Sequence, residues 1–367
     1  MVDMFVESGR WPFSDYPAIY KDLAAVPWLW KLVAFDLGAS PIGIFGYDLL
    51  MDVICRTKFR QLLEASPRPD LVVSVHPLLQ HVPLLALTDA DGGTRTTPFA
   101  TVVTDLGSAH PSWFDSRVDR CYVPSEALRV QAKGRGLNAE QIVQHGLPIR
   151  RGFWKESSTM DGLDDGSVAA STEKEKWRSE LGLVAGVPTV LVVGGGDGMG
   201  GLVGAAQAIG RGLGEGRGRP DESQLVVICG RNSDAVASLE KALWPSNVHV
   251  SVRGFVSNMD EWMAASDLLV TKAGPGTIAE ASVMGLPCVL NSFLPGQESG
   301  NVDFVREMGF GEYSSDPEEV AALVVQYLGD ETRLAEMAQA ARQAGRPEAT
   351  QSIARGLARM LGEELST

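Results

Sequence analysis

The residues Gly194-Gly-Gly-Asp-Gly-Met-Gly-Gly201 directly follow the apolar run Thr189–Val193 and open a helical pattern. Glycines at such a turn remove side chains, so backbone N–H groups and the positive end of a helix can approach a phosphate. Gly195, Gly196, Gly198 and Gly200 are therefore candidate phosphate-facing residues. The spacing Gly196-x-Gly198-x-x-Gly201 also matches the dinucleotide fingerprint, which needs an acidic residue at the end of the next strand to hold a ribose. That strand ends Cys229-Gly-Arg-Asn232 without a carboxylate, which disfavours a nicotinamide-dependent dehydrogenase. A ligand-free strand-to-helix turn also uses glycine, so the run alone is a weak signal.

A second signal is Thr271-Lys-Ala-Gly-Pro-Gly-Thr-Ile-Ala-Glu-Ala281. Gly274, Pro275 and Gly276 follow a strand, and Thr277 is expected to cap a helix. Glu280 is expected on the first turn, where its carboxylate can accept from ribose hydroxyls. A capping-box or surface Glu is the plain alternative. Downstream, Gln297 and Glu298 of Pro295-Gly-Gln-Glu298 offer polar groups to sugar hydroxyls. Asp105, in the turn after Phe99–Val103, is a candidate proton acceptor, with His81 and His110 as alternatives and a turn cap as the ordinary reading. Asp89-Ala-Asp91 has the Asp-x-Asp spacing of metal-dependent transferases, but Thr88–Gly93 reads as a solvated turn, so no metal site is expected.

These residues need strands and helices to aim them. From Leu71 onward, Leu71–Val75, Phe99–Val103 and Arg120–Val123 alternate with helical patterns such as Ser125–Gly134, with Ser125 as its cap. A second alternation runs through Thr189–Val193, Gln224–Cys229, Asn247–Val252, Asp267–Val270 and Pro287–Leu290. Apolar strands alternating with helices predict parallel sheets covered on both faces. Between them, the small, acidic stretch 156–167 reads as a linker. The reading is an α/β chain with an N-terminal domain at 1–153, a linker or insertion at 154–185, a C-terminal domain at 186–345 and an amphipathic helix in 346–367.

A length of 367 residues exceeds one ordinary core. The net charge of −14 argues against nucleic acid as a partner. Residues 1–150 hold 14 Lys+Arg and 16 Asp+Glu, so the first half is nearly neutral and the rest carries −12. Only the first half suits an anionic membrane surface, unless the charge merely serves solubility. The four scattered cysteines read as reduced, buried thiols. No targeting peptide is recognisable at the start.

In order and spacing, Leu191–Gly201, Ile228–Asn232, Arg253-Gly-Phe255, Thr271–Ala281 and Pro295–Asn301 resemble the donor domain of monogalactosyldiacylglycerol synthases. Ser74-Val-His-Pro-Leu-Leu-Gln-His-Val-Pro-Leu84, Thr101–Leu106, His110, Trp113-Phe114 and Gly146-Leu-Pro148 agree, so the resemblance covers about residues 1–345. It implies a GT-B fold, with two Rossmann-like domains whose parallel sheets face a central cleft. It implies transfer of galactose from UDP-galactose to the free hydroxyl of 1,2-diacylglycerol, with UDP-sugar as substrate and no cofactor. The Gly194–Gly201 loop would face the pyrophosphate, and Arg231 and Phe255 would lie at the uracil. Glu280 would bind the ribose, and Gln297 and Glu298 the galactose. His76, Pro77, His81, Asp105 and Trp113 would line the acceptor side.

Galactolipid synthases open the first domain with a strand and a Gly-Gly-Gly-His-type loop, whose His is the expected base. The sequence starts downstream of both, at Met1-Val-Asp-Met-Phe5, so it is expected to be a piece of a longer chain or to lack its base. Pro27-Trp-Leu-Trp-Lys31 resembles an interfacial anchor, with Trp28 and Trp30 as the rings; filling the core is the alternative. Peripheral attachment, including to anionic lipids, and a plastid envelope location follow from the resemblance. Rival readings are a related transferase using UDP-glucose or UDP-GlcNAc, or a non-catalytic nucleotide-sugar-binding subunit.

Overall fold

The structure, a computed structural model, describes residues 2–154, 168–194, 201–215 and 222–362. The chain divides into two compact units. One comprises Met1–Pro148, Leu294–Gly300 and Ala349–Thr367; the other comprises Ile149–Phe293 and Asn301–Glu348.

The first unit holds four parallel strands in the order β1 (Val72–Ser74), β2 (Phe99–Val102), β3 (Arg120–Val123) and β4 (Ile142–Gln144). Its N-terminal part is helical: α1 (Met4–Ser8), α2 (Tyr16–Ala24), α3 (Pro27–Trp30) running into a π-helical stretch Lys31–Leu37, then α4 (Pro41–Glu64). In α4, Met51, Cys55, Phe59 and Leu63 recur every four residues, which places them on one face. That face packs with Val82, Leu84 and Leu87 of α5 (His81–Ala90) and with Phe99 and Trp113. Helix α6 (Glu126–Gly134) begins at Ser125, whose hydroxyl accepts from Leu128 N–H as expected. The other face of the sheet, through Ala100, Val102 and Tyr122, meets Ile353, Leu357 and Met360. These three lie on the last described helix, Ala349–Met360.

The second unit holds six parallel strands: β5 (Thr189–Val193), β6 (Ser223–Ile228), β7 (Val248–Arg253), β8 (Leu268–Lys272), β9 (Cys288–Ser292) and β10 (Gly311–Tyr313). Their spatial order is β10-β9-β8-β5-β6-β7. The order therefore reverses between β5 and β8, the topological switch point at which doubly wound sheets take ligands. Strands β5 and β6 are buried throughout, as continuous apolar runs in a covered sheet must be.

The stretch expected as linker at 154–185 contains a helix, α7 (Val168–Glu180). Its anchor is Arg178, which is buried and donates to Asp267 over 2.6 Å and to the Ala265 carbonyl over 3.1 Å. Lys174 reaches the other Asp267 oxygen at 2.6 Å. All four cysteines are free and buried.

Candidate functional site

The two glycine-rich sequences follow the C-terminal ends of β5 and β8. Val193 and Thr271 are paired in register, so Gly194 and Ala273-Gly274 leave the sheet side by side. Gly195, Gly196, Gly198 and Gly200 lie outside the described residues. Gly201, at φ +68, has a left-handed conformation that suits glycine, and caps α8 (Leu202–Gly214). After β8, Gly274 caps α9, the helix Pro275–Val283. Thr277 is thus the third helical residue and makes no cap bond, against expectation: Pro275 with its fixed φ starts the helix two residues earlier. Gly276 faces open space where a Cβ would sit. Both helix starts leave N–H groups free of intrahelical partners, the feature that binds anions. The Thr271 hydroxyl is buried and has no partner among the described residues.

The same shift moves Glu280 to the second turn of its helix. It is 7% exposed and gripped by Arg150, whose Nε and Nη2 donate to its two oxygens at 2.8 and 2.9 Å. Burial raises its carboxyl above the ordinary range, and Arg150 pulls the other way without overcoming it. The fork uses one lone pair per oxygen and leaves others for hydroxyl donors. At the end of the neighbouring strands, the Arg231 guanidinium stacks over the Phe255 ring at 5.4 Å, which brings these two candidates together.

The first unit gathers a different set. Asp105 lies in the loop after β2, 6% exposed, and accepts from Trp113 Nε1 over 2.7 Å. It also accepts from the Gln297 side chain and the His110 backbone, yet burial still pushes its carboxyl up to about 6. Gln297 and Glu298, expected with the donor domain, group by contacts with Asp105 in this unit. Two glycines dock their loop. Gly300 packs where a Cβ would come within 2.7 Å of Gly107 C and Ser108 Cβ, and Gly296, at φ +86, packs on the Phe35 ring. Ser108 Oγ donates to the Gln297 carbonyl at 3.3 Å and accepts from Gly300 N–H at 3.3 Å. Tyr20 lies 3.5 Å from Gln297 Oε1. A buried carboxyl that titrates near neutrality, beside a second carboxylate, is equipped for proton exchange.

The histidines take other places. His81 Nδ1 accepts from Arg117 at 2.8 Å, and Arg117 is itself paired with Asp115. With Pro77 it lines a cavity of about 220 Å³. His110 Nδ1 accepts from Ser112 N–H, and its Nε2 faces the Ala34 carbonyl at 3.1 Å. Both nitrogens are thus committed, and His110 acts as a staple. His76 accepts from Leu78 N–H, sets its ring against Phe5 at 5.6 Å and is held down to about 4 by burial. It therefore packs against the N-terminal helices. Trp113, expected to line the acceptor side, is 1% exposed and orients Asp105.

Trp30 corrects the anchor reading: it is 5% exposed, between Tyr20 and Phe35. Trp28 is 68% exposed. Asp89 and Asp91 are held by Arg56 and Arg68 respectively, and Asp89 belongs to the last turn of α5, whereas a loop was expected. Spacing gave no hint of Arg150 or Ser108, because each meets its partner from more than a hundred residues away in the chain.

Comparison with known proteins fits this arrangement. Residues 1–149 match the monogalactosyldiacylglycerol (MGDG) synthase family, and residues 189–353 match the glycosyltransferase family 28 C-terminal domain. Monogalactosyldiacylglycerol synthase 2, chloroplastic, of Arabidopsis thaliana is 36% identical over 97% of this chain and 72% of its own length. The chain belongs to the MGDG synthase family. The chloroplastic synthase of Spinacia oleracea is 37% identical over the whole chain, which spans 66% of that protein. Among solved structures, MurG from Acinetobacter baumannii superposes with a TM-score of 0.56 at 16% identity, covering 83% of this chain and 78% of MurG. MGDG synthase family membership and this likeness agree on the GT-B fold.

Proposed function

We propose that this protein transfers galactose from UDP-galactose to the free hydroxyl of 1,2-diacylglycerol. The observation that carries the reading is the pair of glycine-lined helix starts flanking the switch point between β5 and β8, in a chain of this family. UDP leaves with developing negative charge. Two helix N-termini preorganised at the diphosphate stabilise that charge without a metal. Phe255 and Arg231 offer the uracil a ring and a cation, Glu280 offers the ribose an acceptor, and Gln297 and Glu298 offer the galactose hydroxyls theirs.

The acceptor hydroxyl must lose a proton, and Asp105 is the group in the first unit suited to receive it at neutral pH. General base assistance of this kind contributes roughly 10²–10⁴ in rate. In the full-length protein, Asp105→Asn should lower kcat and remove a rise of rate with pH near 6; an unchanged pH profile would exclude this role. Formation of galactolipid from UDP-galactose but not UDP-glucose tests the donor, and equal rates with both would remove the assignment to galactose.

The acceptor is presented by a membrane. Ile42, Phe45, Leu49 and Val53 of α4 are 84, 68, 53 and 77% exposed. Trp28 is a further exposed apolar ring of this unit. Among the described residues no single helix is long and apolar enough to cross a bilayer, and Pro27–Leu37 and Pro41–Glu64 bend by 88°. Peripheral insertion suits that geometry, and anionic lipids suit the nearly neutral first half. A plastid location follows from the chloroplastic relatives. Import of the full-length protein into isolated plastids tests it, and exclusion from them would refute it.

A further inference from the structure

We infer that Arg150 is the positioning residue for nucleotide recognition: its two-pronged grip aims the Glu280 carboxylate, so the choice of ribonucleotide over deoxyribonucleotide depends on it. The inference rests on the reading of Glu280 as the ribose acceptor. A carboxylate accepts two hydroxyl donors well only while charged; once protonated, it presents a donor of its own and half the accepting capacity. Glu280 sits 7% exposed on a helix whose neighbours Ile278 and Ala281 are buried, and a lone carboxyl there favours the neutral form. The charged groups acting on it are Arg150, which stabilises the anion, and Asp260 of the short helix Met259–Ala264, which opposes it. Arg150 thus supplies the attraction that opposes burial and Asp260 without cancelling them.

The geometry of Arg150 suits this task better than a loose surface pair would. Both donors of one guanidinium edge reach the carboxylate, at 2.8 and 2.9 Å, so the bond fixes the plane of Glu280 as well as its charge. The guanidinium rests on the buried Phe153 ring at 5.0 Å. The Arg150 side chain is 58% exposed, but Glu280 is not, so the pair is screened on one side only. Lysine would keep the charge and lose the fork.

The test is calorimetric titration of the protein with UDP and with 2′-deoxy-UDP across pH 5–9. Wild type should prefer UDP, and its UDP affinity should fall as pH drops through the Glu280 titration. In Arg150→Gln that fall should move to higher pH, with UDP affinity at pH 7 down about tenfold and 2′-deoxy-UDP affinity nearly unchanged. Arg150→Lys should recover the pH midpoint but only part of the preference. Glu280→Gln, a check independent of how Arg150→Gln folds, should bind both nucleotides alike and without pH dependence. Equal weakening of UDP and 2′-deoxy-UDP in Arg150→Gln at an unmoved midpoint would show that Arg150 meets the diphosphate directly, and would overturn the inference while leaving the nucleotide site intact. Absence of UDP binding to wild type would remove the site and the inference together.

Discussion

Trp113 donates its indole N–H to Asp105 over 2.7 Å, and this bond opposes the burial that otherwise governs the carboxyl. Burial wins, moving the group from 3.8 to about 6. Between those values the folded protein holds a proton that the unfolded chain has released. Its contribution to stability therefore falls as pH rises through the window. Asp105→Asn should lack that fall, so its stability relative to wild type should improve by up to about 3 kcal/mol between pH 4 and pH 7, at 1.36 kcal/mol per unit. Urea unfolding at a series of pH values checks it. Trp113→Phe removes the opposing bond and should push the window upward.

The two tryptophans of Pro27-Trp-Leu-Trp-Lys31 should separate cleanly. Trp28→Ala is expected to weaken co-sedimentation with vesicles containing anionic lipid and to leave Tm within a degree or two, because the ring is exposed. Trp30→Ala opens a cavity beside Tyr20 and Phe35 and should cost about 3–5 kcal/mol. Equal effects of both variants on vesicle binding and on Tm would contradict the division of labour.

Strand positions such as Thr189–Val193 were legible because a long apolar run in a covered sheet has no polar phase. Three-residue β4 and β10 were not: Ile142-Val-Gln144 and Gly311-Glu-Tyr313 are too short to show a pattern, and pairing with β3 and β9 creates them. Trp30 shows the same limit. Trp28 and Trp30 have the same residue type in one short motif, and only tertiary packing decides which is covered. The Gly274-Pro-Gly276 helix start could be read locally, whereas the Asp105–Gln297 and Arg150–Glu280 pairings join distant segments and need the fold.

Gly296 and Gly300 set the position of Gln297 and Glu298. At Gly300 a methyl group would meet Gly107 and Ser108 at 2.7 Å, and at Gly296 it would meet Phe35 on a backbone with φ +86. Gly300→Ala should displace the loop, break the Ser108 bonds and lower affinity for UDP-galactose while leaving affinity for UDP unchanged. Titration with the two ligands reads this out. A matching loss for both would mean that the loop serves the nucleotide and not the sugar.

Asp267 anchors α7 through Lys174 and Arg178, and accepts from Thr189 N–H at 2.8 Å where β5 begins. Burial alone would raise its carboxyl, but two cations and the backbone bond together hold it below the ordinary range. For an acid depressed in the folded state, the stabilisation is fully present above the unfolded value near 4 and is lost as pH falls through the folded one. Asp267→Asn leaves the buried Arg178 with Glu175, at 2.6 Å, as its remaining carboxylate, and the lost charged partner should cost about 1–3 kcal/mol at pH 7. The same variant should lose less stability than wild type between pH 5 and pH 2, because that titration has been deleted. Unfolding followed by circular dichroism over this range decides it: parallel acid limbs for the two proteins would show that Asp267 does not carry the anchor.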